Sequence, residues 1–346
     1  MSILNKFTFG EFTTSVIRSG ANTLWDGLRD NRVVGVLDRG AAEAYPEETG
    51  GFPGSAAVLE PGEEQKTWDS VESILRLGVS EGMNRDGIIA GAGGGVVCDI
   101  AAFAASVFNR GCGLILVPTT LLAMVDASLG GKTGINFSGY KNLVGTFYPA
   151  REVRIYVRFL ERLPGREYKS GMAEVIKTAL LGEPELRNSL DQEKEGWMNR
   201  DSGVLADGIG YCLGLKGRIV EEDLREGGKR ALLNFGHTFG HALESAAGLG
   251  NITHGEAVAW GMAKALEAGV ETGITSRSYR NMCKKLIESY GFDTGIKVEN
   301  FDTFKAALLR DKKNRKGEVR FILQRDFGDT VITPLDPDLV RRIVTS

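Results

Sequence analysis

Hydrophobic and polar positions follow different patterns in the two halves of the chain. In the first half, short β-branched or apolar runs are separated by stretches with apolar residues at helical spacing. These patterns predict strands at Val33–Leu37, Gly87–Ala90 and Leu114–Val117, with helices at Thr67–Leu77 and Val96–Phe108. Strands that alternate with helices are typical of a largely parallel sheet. The first half is therefore predicted to be an α/β domain.

After about residue 160 the β-rich runs nearly disappear and helical spacing dominates. One late apolar run, Val319–Leu323, is predicted to be a small strand at the edge of this part. The predicted helices are Tyr168–Leu181, Val204–Val220, Ala231–Ala247, Glu256–Thr272 and Ser276–Tyr290. A chain of 346 residues is long enough for two cores. We therefore expect an α/β domain over 1–163 and a helical domain over 164–346.

Composition narrows the class of protein. The net charge of −3 offers no broad basic surface for nucleic acid. The sequence has no apolar run of membrane-spanning length and no signal-peptide core at its start, so we expect a cytoplasmic protein without a membrane partner. The cysteines show no paired spacing and are predicted to be reduced packing residues; they are Cys98, Cys112, Cys212 and Cys283.

All three histidines of the chain lie in one short stretch, at His237, His241 and His254. This crowding indicates a shared task, most simply a divalent metal held by neutral imidazoles. In a helix over Ala231–Ala247, His237 and His241 would lie one turn apart on the same face. A carboxylate would have to complete the site, and Glu174 is the best candidate. The alternative is that the histidines are hydrogen-bonded core residues.

Two further segments carry features of anion binding. Gly91–Asp99 follows a predicted strand and precedes a predicted helix, as in turns that bind a nucleotide pyrophosphate. A purely structural turn would also use glycine, and the segment lacks the GxGxxG pattern. Between Pro118 and Asn142, polar residues stand among small ones, which favours anion binding: Thr119, Thr120, Asp126, Lys132, Thr133, Asn136, Lys141 and Asn142.

Charged residues in the second half complete the candidate chemistry. Glu174 and Lys177 share one face of a predicted helix, and the simplest interpretation of the pair is an exposed ion pair. The cationic complement of a phosphorylated, carboxylated substrate would come from residues near the histidines and near the end of the chain. These segments contain Lys216, Glu226, Arg230 and Asp311–Lys313.

Together these segments resemble the sugar phosphate cyclase superfamily, and most closely its 3-dehydroquinate synthase family, over roughly Val33 to Leu323. The motifs are Pro61–Lys66, Gly93–Asp99, Pro118–Asp126, Gly130–Asn136, Ala173–Lys177, Leu233–His241 and His254–Val258. One departure is Cys98, where the family usually has glycine. Members pair an N-terminal NAD-binding α/β domain with a C-terminal helical metal domain, and their site lies in the cleft between the two.

The resemblance implies a role for each matching residue. Glu174, His237 and His254 would bind Zn or Co, whereas His241 would face the substrate phosphate, which revises the interpretation of His237 and His241 as a ligand pair. The NAD site would contain Asp38, Glu63, Lys66, Gly94, Gly95, Val96, Asp99, Thr119, Thr120, Lys132, Lys141, Phe159 and Arg162. The substrate site would contain Asp126, Lys132, Asn142, Lys177, Lys216, Glu226, Arg230, Asn234, His241 and Lys312, with Lys313 as the alternative to Lys312. Arg110 would reach the phosphate of a neighbouring subunit, which implies a homodimer.

The implied activity is a redox-neutral cyclisation in the shikimate pathway of aromatic amino acid biosynthesis. 3-Deoxy-D-arabino-heptulosonate 7-phosphate would become 3-dehydroquinate and phosphate through transient oxidation by NAD, phosphate elimination, reduction and aldol closure. The alternatives are a metal-dependent polyol dehydrogenase, another cyclase (making 2-deoxy-scyllo-inosose, a valiolone or amino-dehydroquinate), and a non-catalytic NAD-sensing scaffold. The cationic residues argue against the first, and the complete set of Glu174, His237 and His254 argues against the last.

Overall fold

The computed structural model describes residues 1–28, 32–248, 251–310 and 319–346. Lys312 and its alternative Lys313 lie outside the described residues, so their expected role remains a prediction. The chain forms two compact units, one of residues 1–168 with 200–226 and the other of residues 169–199 with 227–346.

The first unit is built on a seven-stranded sheet with the order β1-β2-β9-β6-β5-β3-β4. The described strands of the first unit are β1 (Ser2–Phe9), β2 (Phe12–Arg18), β3 (Val33–Asp38), β4 (Ser55–Leu59), β5 (Ile88–Gly93), β6 (Gly113–Pro118), β7 (Ile135–Phe137), β8 (Tyr140–Val144) and β9 (Glu152–Ile155). Strands β1 and β2 are antiparallel, and the remaining pairs of the sheet are parallel. The predicted, largely parallel α/β sheet is confirmed. Strands β7 and β8 form a separate hairpin.

Helices alternate with strands in the first half of the chain and dominate the second half, as predicted. In chain order they are α1 (Arg39–Ala44), α2 (Pro46–Gly50), α3 (Trp68–Ser80), α4 (Gly95–Val107), α5 (Gly165–Leu180), α6 (Pro184–Gln192), α7 (Lys194–Met198), α8 (Ser202–Glu222), α9 (His237–Ala247), α10 (His254–Glu271), α11 (Arg277–Ser289), α12 (Phe301–Arg310) and α13 (Pro337–Thr345). Helices α3 and α4 contact β3, β4, β5 and β6. Strand β5 is buried along its whole length, which explains its continuous apolar run.

The second unit is mainly helical, as predicted. Its described strands are β10 (Arg320–Asp326) and β11 (Asp329–Pro334), which form an antiparallel hairpin. The expected strand at Val319–Leu323 is therefore confirmed, and its partner β11 was not predicted. Among the described residues, no helix combines the length and apolarity needed to cross a bilayer. All four cysteines are buried and free, as expected of packing residues.

The predicted helix over Ala231–Ala247 is wrong at its start. The chain instead forms a 3₁₀ segment at Lys229–Asn234, and α9 begins only at His237. The break lies at Gly236, whose φ of +81° is in the left-handed region. A side chain there would also place a Cβ 2.7 Å from the backbone oxygen of Val258. His237 therefore stands at the beginning of a helix rather than inside one.

Helix α8 returns to the first compact unit although it follows α5, α6 and α7 in sequence. It packs on β1, where Glu221 Oε1 accepts a hydrogen bond of 2.6 Å from the backbone N–H of Thr8. The compact units thus differ from the predicted division at 163 and 164 in where they place residues 164–168 and 200–226. As a statement about folding domains, that boundary stays a prediction.

Candidate functional site

Three side chains of the second unit form a group that could hold a metal ion. Glu174, His237 and His254 each offer a ligand atom, and these atoms all lie within 4.8 Å of one another. Oε1 of Glu174 is 3.6 Å from Nε2 of His237 and 3.3 Å from Nε2 of His254. Ligand atoms around a tetrahedral zinc ion are about 3.3 Å apart, given metal–ligand bonds of about 2.0–2.1 Å. The group therefore has nearly the spacing of a ligand set.

The electrostatics of Glu174 also fit a cation. Its side chain is 1% exposed, and the described groups that lie against its carboxylate oxygens are the Lys177 ammonium and the imidazoles of His237 and His254. Burial raises the pKa of Glu174, but the neighbouring Lys177 ammonium and His254 outweigh burial and hold the pKa well below its usual range. A buried carboxylate is costly unless positive charge compensates it, and here Lys177 compensates Oε2 while Oε1 faces the two imidazoles. Lys177 is 3% exposed, so the exposed ion pair considered from the sequence is wrong.

The segment His254-Gly255-Glu256 brings α10 to this group. Glu256 closes a capping box, because its Oε2 accepts from the Thr253 backbone N–H at 2.9 Å, and this fixes the helix start at His254. The Gly255 N–H donates to Oγ of Ser170 on α5 at 3.0 Å. A Cβ on Gly255 would lie 2.3 Å from the Ser170 backbone oxygen, so only glycine allows this approach of α5 and α10. The three residues supply a member of the candidate ligand group, a close contact and a cap.

The two imidazoles are oriented through their second ring nitrogens. Nδ1 of His237 lies 3.3 Å from the backbone oxygen of Phe235. Nδ1 of His254 lies 3.6 Å from Oε2 of Glu244. Such outer partners favour the tautomer that leaves Nε2 available to a metal. Both Nε2 atoms face Glu174.

Glu244 is a residue that the sequence interpretation missed. Burial lowers the pKa of His254, but Glu174 and Glu244 outweigh it and raise that pKa to about 9. Glu244 stands seven residues after His237 on α9, which is two turns along the same helix face. That spacing was visible in the sequence, although the approach of His254 from α10 was not.

His241 lies beside the group without belonging to it. Its ring centroid is 5.2 Å from that of His237 and 5.9 Å from that of His254. The ligand group found among the described residues contains the other two histidines and Glu174. Arg230, which is 2% exposed, and Asn234 belong to the 3₁₀ segment that precedes α9. The substrate-side roles of these three residues stay predictions.

In the first unit, the carboxyl ends of β3 and β5 form a place suited to a dinucleotide. From β3 the chain crosses to β4 on one side, whereas β5 pairs with β3 on its other side. Ligands of open α/β sheets bind at such a reversal, beyond the carboxyl ends of the strands. Here β3 ends at Asp38, and the turn Gly93–Gly95 leads from β5 into α4. The N-terminus of α4 thus offers backbone N–H groups to an anion.

The glycines at the carboxyl end of β5 also allow close packing. A Cβ on Gly93 would lie 2.6 Å from the Val97 side chain and 3.0 Å from that of Asp38. Asp38 Oδ1 accepts from the Ala41 N–H at 2.9 Å and caps α1. Burial raises the pKa of Asp38. The structural and the nucleotide-binding interpretations of the turn are therefore compatible.

A polar network joins several of the expected cofactor residues. Lys66 is 3% exposed, and its Nζ lies 2.6 Å from Oδ2 of Asp99 and also donates to Oδ1 of Asn142. Asn136 donates to Oε1 of Glu63 at 3.1 Å and accepts from the Asn142 N–H at 2.9 Å. Burial raises the pKa of Asp99 above its usual value, although the Lys66 ammonium opposes this rise. The structure thus brings Glu63, Lys66, Asp99 and Asn142 together.

Two ion pairs join four of the expected substrate residues in the first unit. Nζ of Lys216 on α8 lies 2.5 Å from Oδ1 and 2.7 Å from the backbone oxygen of Asp126. Nζ of Lys132 lies 2.5 Å from Oε2 of Glu226. Asp126 belongs to a π-helical turn at Ala123–Ala127, a distortion frequent at functional sites.

The remaining expected residues have varied surroundings. Thr119 is buried after β6, and Thr120 Oγ1 accepts from the Ala123 N–H at 3.2 Å. Phe159 packs edge-on against Tyr45, and Arg162 stacks over the same Tyr45 ring. The other expected residues are placed in α4 (Gly95 and Val96), at its N-cap (Gly94), in β8 (Lys141) and in a 3₁₀ turn (Arg110). Their roles stay predictions.

Solved structures with this fold define its class. 2-Deoxy-scyllo-inosose synthase in complex with carbaglucose-6-phosphate, NAD⁺ and Co²⁺ has a TM-score of 0.86 and 27% identity, and the match covers 98% of each chain. 2-Epi-5-epi-valiolone synthase from Streptomyces hygroscopicus with NAD⁺ and Zn²⁺ bound has a TM-score of 0.86 and 25% identity, covering 99% of this chain and 97% of the other. The fold is that of the sugar phosphate cyclases.

Sequence comparison narrows the class to one family. The 3-dehydroquinate synthase of Geobacter metallireducens is 42% identical over 285 residues, which are 82% of this chain and 79% of the relative. The family models for the N-terminal and C-terminal parts of 3-dehydroquinate synthase match residues 56–170 and 171–314. The chain belongs to the 3-dehydroquinate synthase family.

Proposed function

We propose that the protein catalyses the 3-dehydroquinate synthase reaction, as a carbon–oxygen lyase dependent on NAD and a divalent metal. 3-Deoxy-D-arabino-heptulosonate 7-phosphate is converted to 3-dehydroquinate and phosphate. The observation that carries the proposal is the buried group of Glu174, His237 and His254 in a chain of this family. The relatives that contain NAD⁺ with Co²⁺ or Zn²⁺ support the choice of cofactors.

The residues present fit both cofactors. Glu174, His237 and His254 would hold Zn or Co, which supplies polarisation of the substrate hydroxyl when bound. The carboxyl ends of β3 and β5 would hold NAD, which supplies a reversible hydride acceptor. Lys177 compensates the second oxygen of Glu174, which keeps the carboxylate ionised. Glu244 and the Phe235 carbonyl orient the two imidazoles.

The cationic residues would hold the anionic substrate. Arg230 is almost fully buried, and a desolvated guanidinium binds phosphate or carboxylate strongly. Lys132 and Lys216 are paired with Glu226 and Asp126, so a substrate anion would compete with these carboxylates for the two ammonium groups. The substrate would be positioned by this exchange of partners, with its own phosphate oxygen accepting the proton that elimination removes.

The proposed function also carries an expected oligomeric state and an expected location in the cell. We expect a homodimer in which Arg110 reaches the phosphate bound by the neighbouring subunit. We expect the protein in the cytoplasm, where NAD and sugar phosphates are available.

A product assay tests the proposal. The metal-loaded protein with NAD is incubated with the heptulosonate phosphate, and released phosphate is measured together with the enone that an added dehydratase forms from dehydroquinate. One enone per phosphate is expected. A parallel assay uses glucose 6-phosphate, because the structurally similar 2-deoxy-scyllo-inosose synthase was solved with a carba analogue of that sugar phosphate. Turnover of glucose 6-phosphate alone would contradict the proposal and favour a 2-deoxy-scyllo-inosose synthase.

A further inference from the structure

The second unit contains a cavity of about 520 Å³ whose lining includes no residue of the candidate site. Its walls come from α10, α11, the loop after α11, and α13. This volume is typical of sites for metabolite-sized molecules. Two glutamates, Glu267 and Glu271, line the cavity. They are outnumbered by the cationic lining residues, which are Lys264, Arg277, Arg280, Lys284 and Arg342.

Among the described residues, the lysines of the cavity have carboxylate partners, whereas its three arginines have none. Nζ of Lys264 and Nζ of Lys284 lie 3.1 and 3.6 Å from carboxylate oxygens of Glu267. In the described part of the chain, no carboxylate lies within 4.0 Å of the three arginine side chains. Nε of Arg280 is buried and finds no acceptor there either. The arginine side chains that line the cavity therefore bring positive charge without a carboxylate partner among the described residues, and an added anion would compensate that charge.

Helix stability does not explain Arg277 and Arg280. Arg277 is the first residue of α11, and Arg280 lies one turn further on. A positive charge in the first turn of a helix is opposed by the helix dipole. Only Arg342, in the last turn of α13, is favoured by the dipole of its own helix.

The cavity also has an apolar wall, formed by Val270, Leu339 and Ile343. Leu339 and Ile343 are buried core residues of α13. Arginine heads beside an apolar wall match a ligand with an anionic group and an apolar body. We propose that the cavity of α10, α11 and α13 binds an organic anion, either a carboxylate or a phosphate ester with an apolar body.

Calorimetric titration of the holoenzyme with phenyl phosphate, benzoate and inorganic phosphate tests this proposal. The two aromatic probes share one body and differ in the anionic group, so they distinguish a phosphate from a carboxylate ligand. At least one of them should bind more tightly than inorganic phosphate. The tighter probe should bind about tenfold more weakly, or worse, to Arg280→Gln and to Arg342→Gln. Lys285→Gln is the matched control, because Lys285 is exposed on α11 and does not line the cavity.

Arg342 is exposed, so Arg342→Gln keeps the test valid if Arg280→Gln fails to fold. Lys132→Ala reports binding of the probes at the proposed substrate site. The proposal is overturned if neither aromatic probe binds, if both arginine variants bind like the wild type, or if Lys132→Ala abolishes the binding. Inorganic phosphate that binds as tightly as phenyl phosphate and benzoate would also overturn it, since the apolar wall would then contribute nothing.

Discussion

At the scale of single residues, the candidate metal site depends on how Glu174 is buried. Its carboxylate is almost fully buried and lies among the Lys177 ammonium and two imidazoles. A neutral side chain of the same shape would remove the charge that compensates a cation while keeping the packing. The charge of Glu174 should therefore matter to a bound metal and also to the fold, because the buried Lys177 ammonium would lose this carboxylate partner.

We expect Glu174→Gln to lower zinc affinity by more than about a hundredfold, because one of three protein ligands loses its charge. Dialysis against a zinc buffer, followed by metal analysis, measures the change. Glu167→Gln, at an exposed position near the start of α5, is the control. His241→Ala should retain the metal. Stoichiometric zinc in Glu174→Gln at wild-type affinity would contradict the ligand assignment.

The contact of Glu244 with His254 gives a second prediction, measured on the metal-free protein. The chain has three histidines, so their imidazole resonances can be followed individually by NMR. One histidine should titrate near pH 9, since two carboxylates favour its charged form. Glu244→Gln removes one of these carboxylates and should lower that pKa, while Ser245→Ala should leave it unchanged. An unchanged titration in Glu244→Gln would show that Glu244 does not act on His254.

At the scale of elements, the close packing of α5 and α10 sets the positions of Glu174 and His254, two of the candidate ligands. Parallel strands and amphipathic helices could be predicted because their burial leaves a regular pattern in the sequence. The start of α9 could not, because it depends on Gly236 and on the backbone of Val258, which is distant in sequence. The burial of Glu174 and Lys177 escaped prediction for a similar reason. Both residues lie on a helix face that is covered only once other helices have packed.

Gly255→Ala tests this packing directly. The added methyl would lie 2.3 Å from the Ser170 oxygen, so α5 and α10 must separate. We expect a loss of about 1–3 kcal/mol in the free energy of unfolding, together with weaker zinc binding. Gly210→Ala on α8 is the matched control, because nothing lies within 4 Å of the added Cβ, and it should be neutral or slightly stabilising. Equal melting temperatures for the two variants would contradict the account.

At the scale of the whole molecule, the residues for the proposed reaction are divided between the two units. The first unit has the strand ends suited to a dinucleotide and the ion pairs that include Lys132 and Lys216. The second unit has the ligand group and Arg230. The return of α8 to the first unit brings Lys216 to Asp126, a contact that a single division of the chain at 163 and 164 does not anticipate. The sequence indicated the chemistry of both sets, since their residue types are specific, but not their partners.

The stoichiometry of NAD tests the central claim, which is that hydride leaves and returns within one turnover. The metal-loaded protein is supplied with the heptulosonate phosphate and with NAD equal to the number of sites, while phosphate release and absorbance at the NADH band are recorded together. We predict many phosphates released per NAD, with no net accumulation of NADH. Steady production of NADH without phosphate release would contradict the cyclase and identify a polyol dehydrogenase instead.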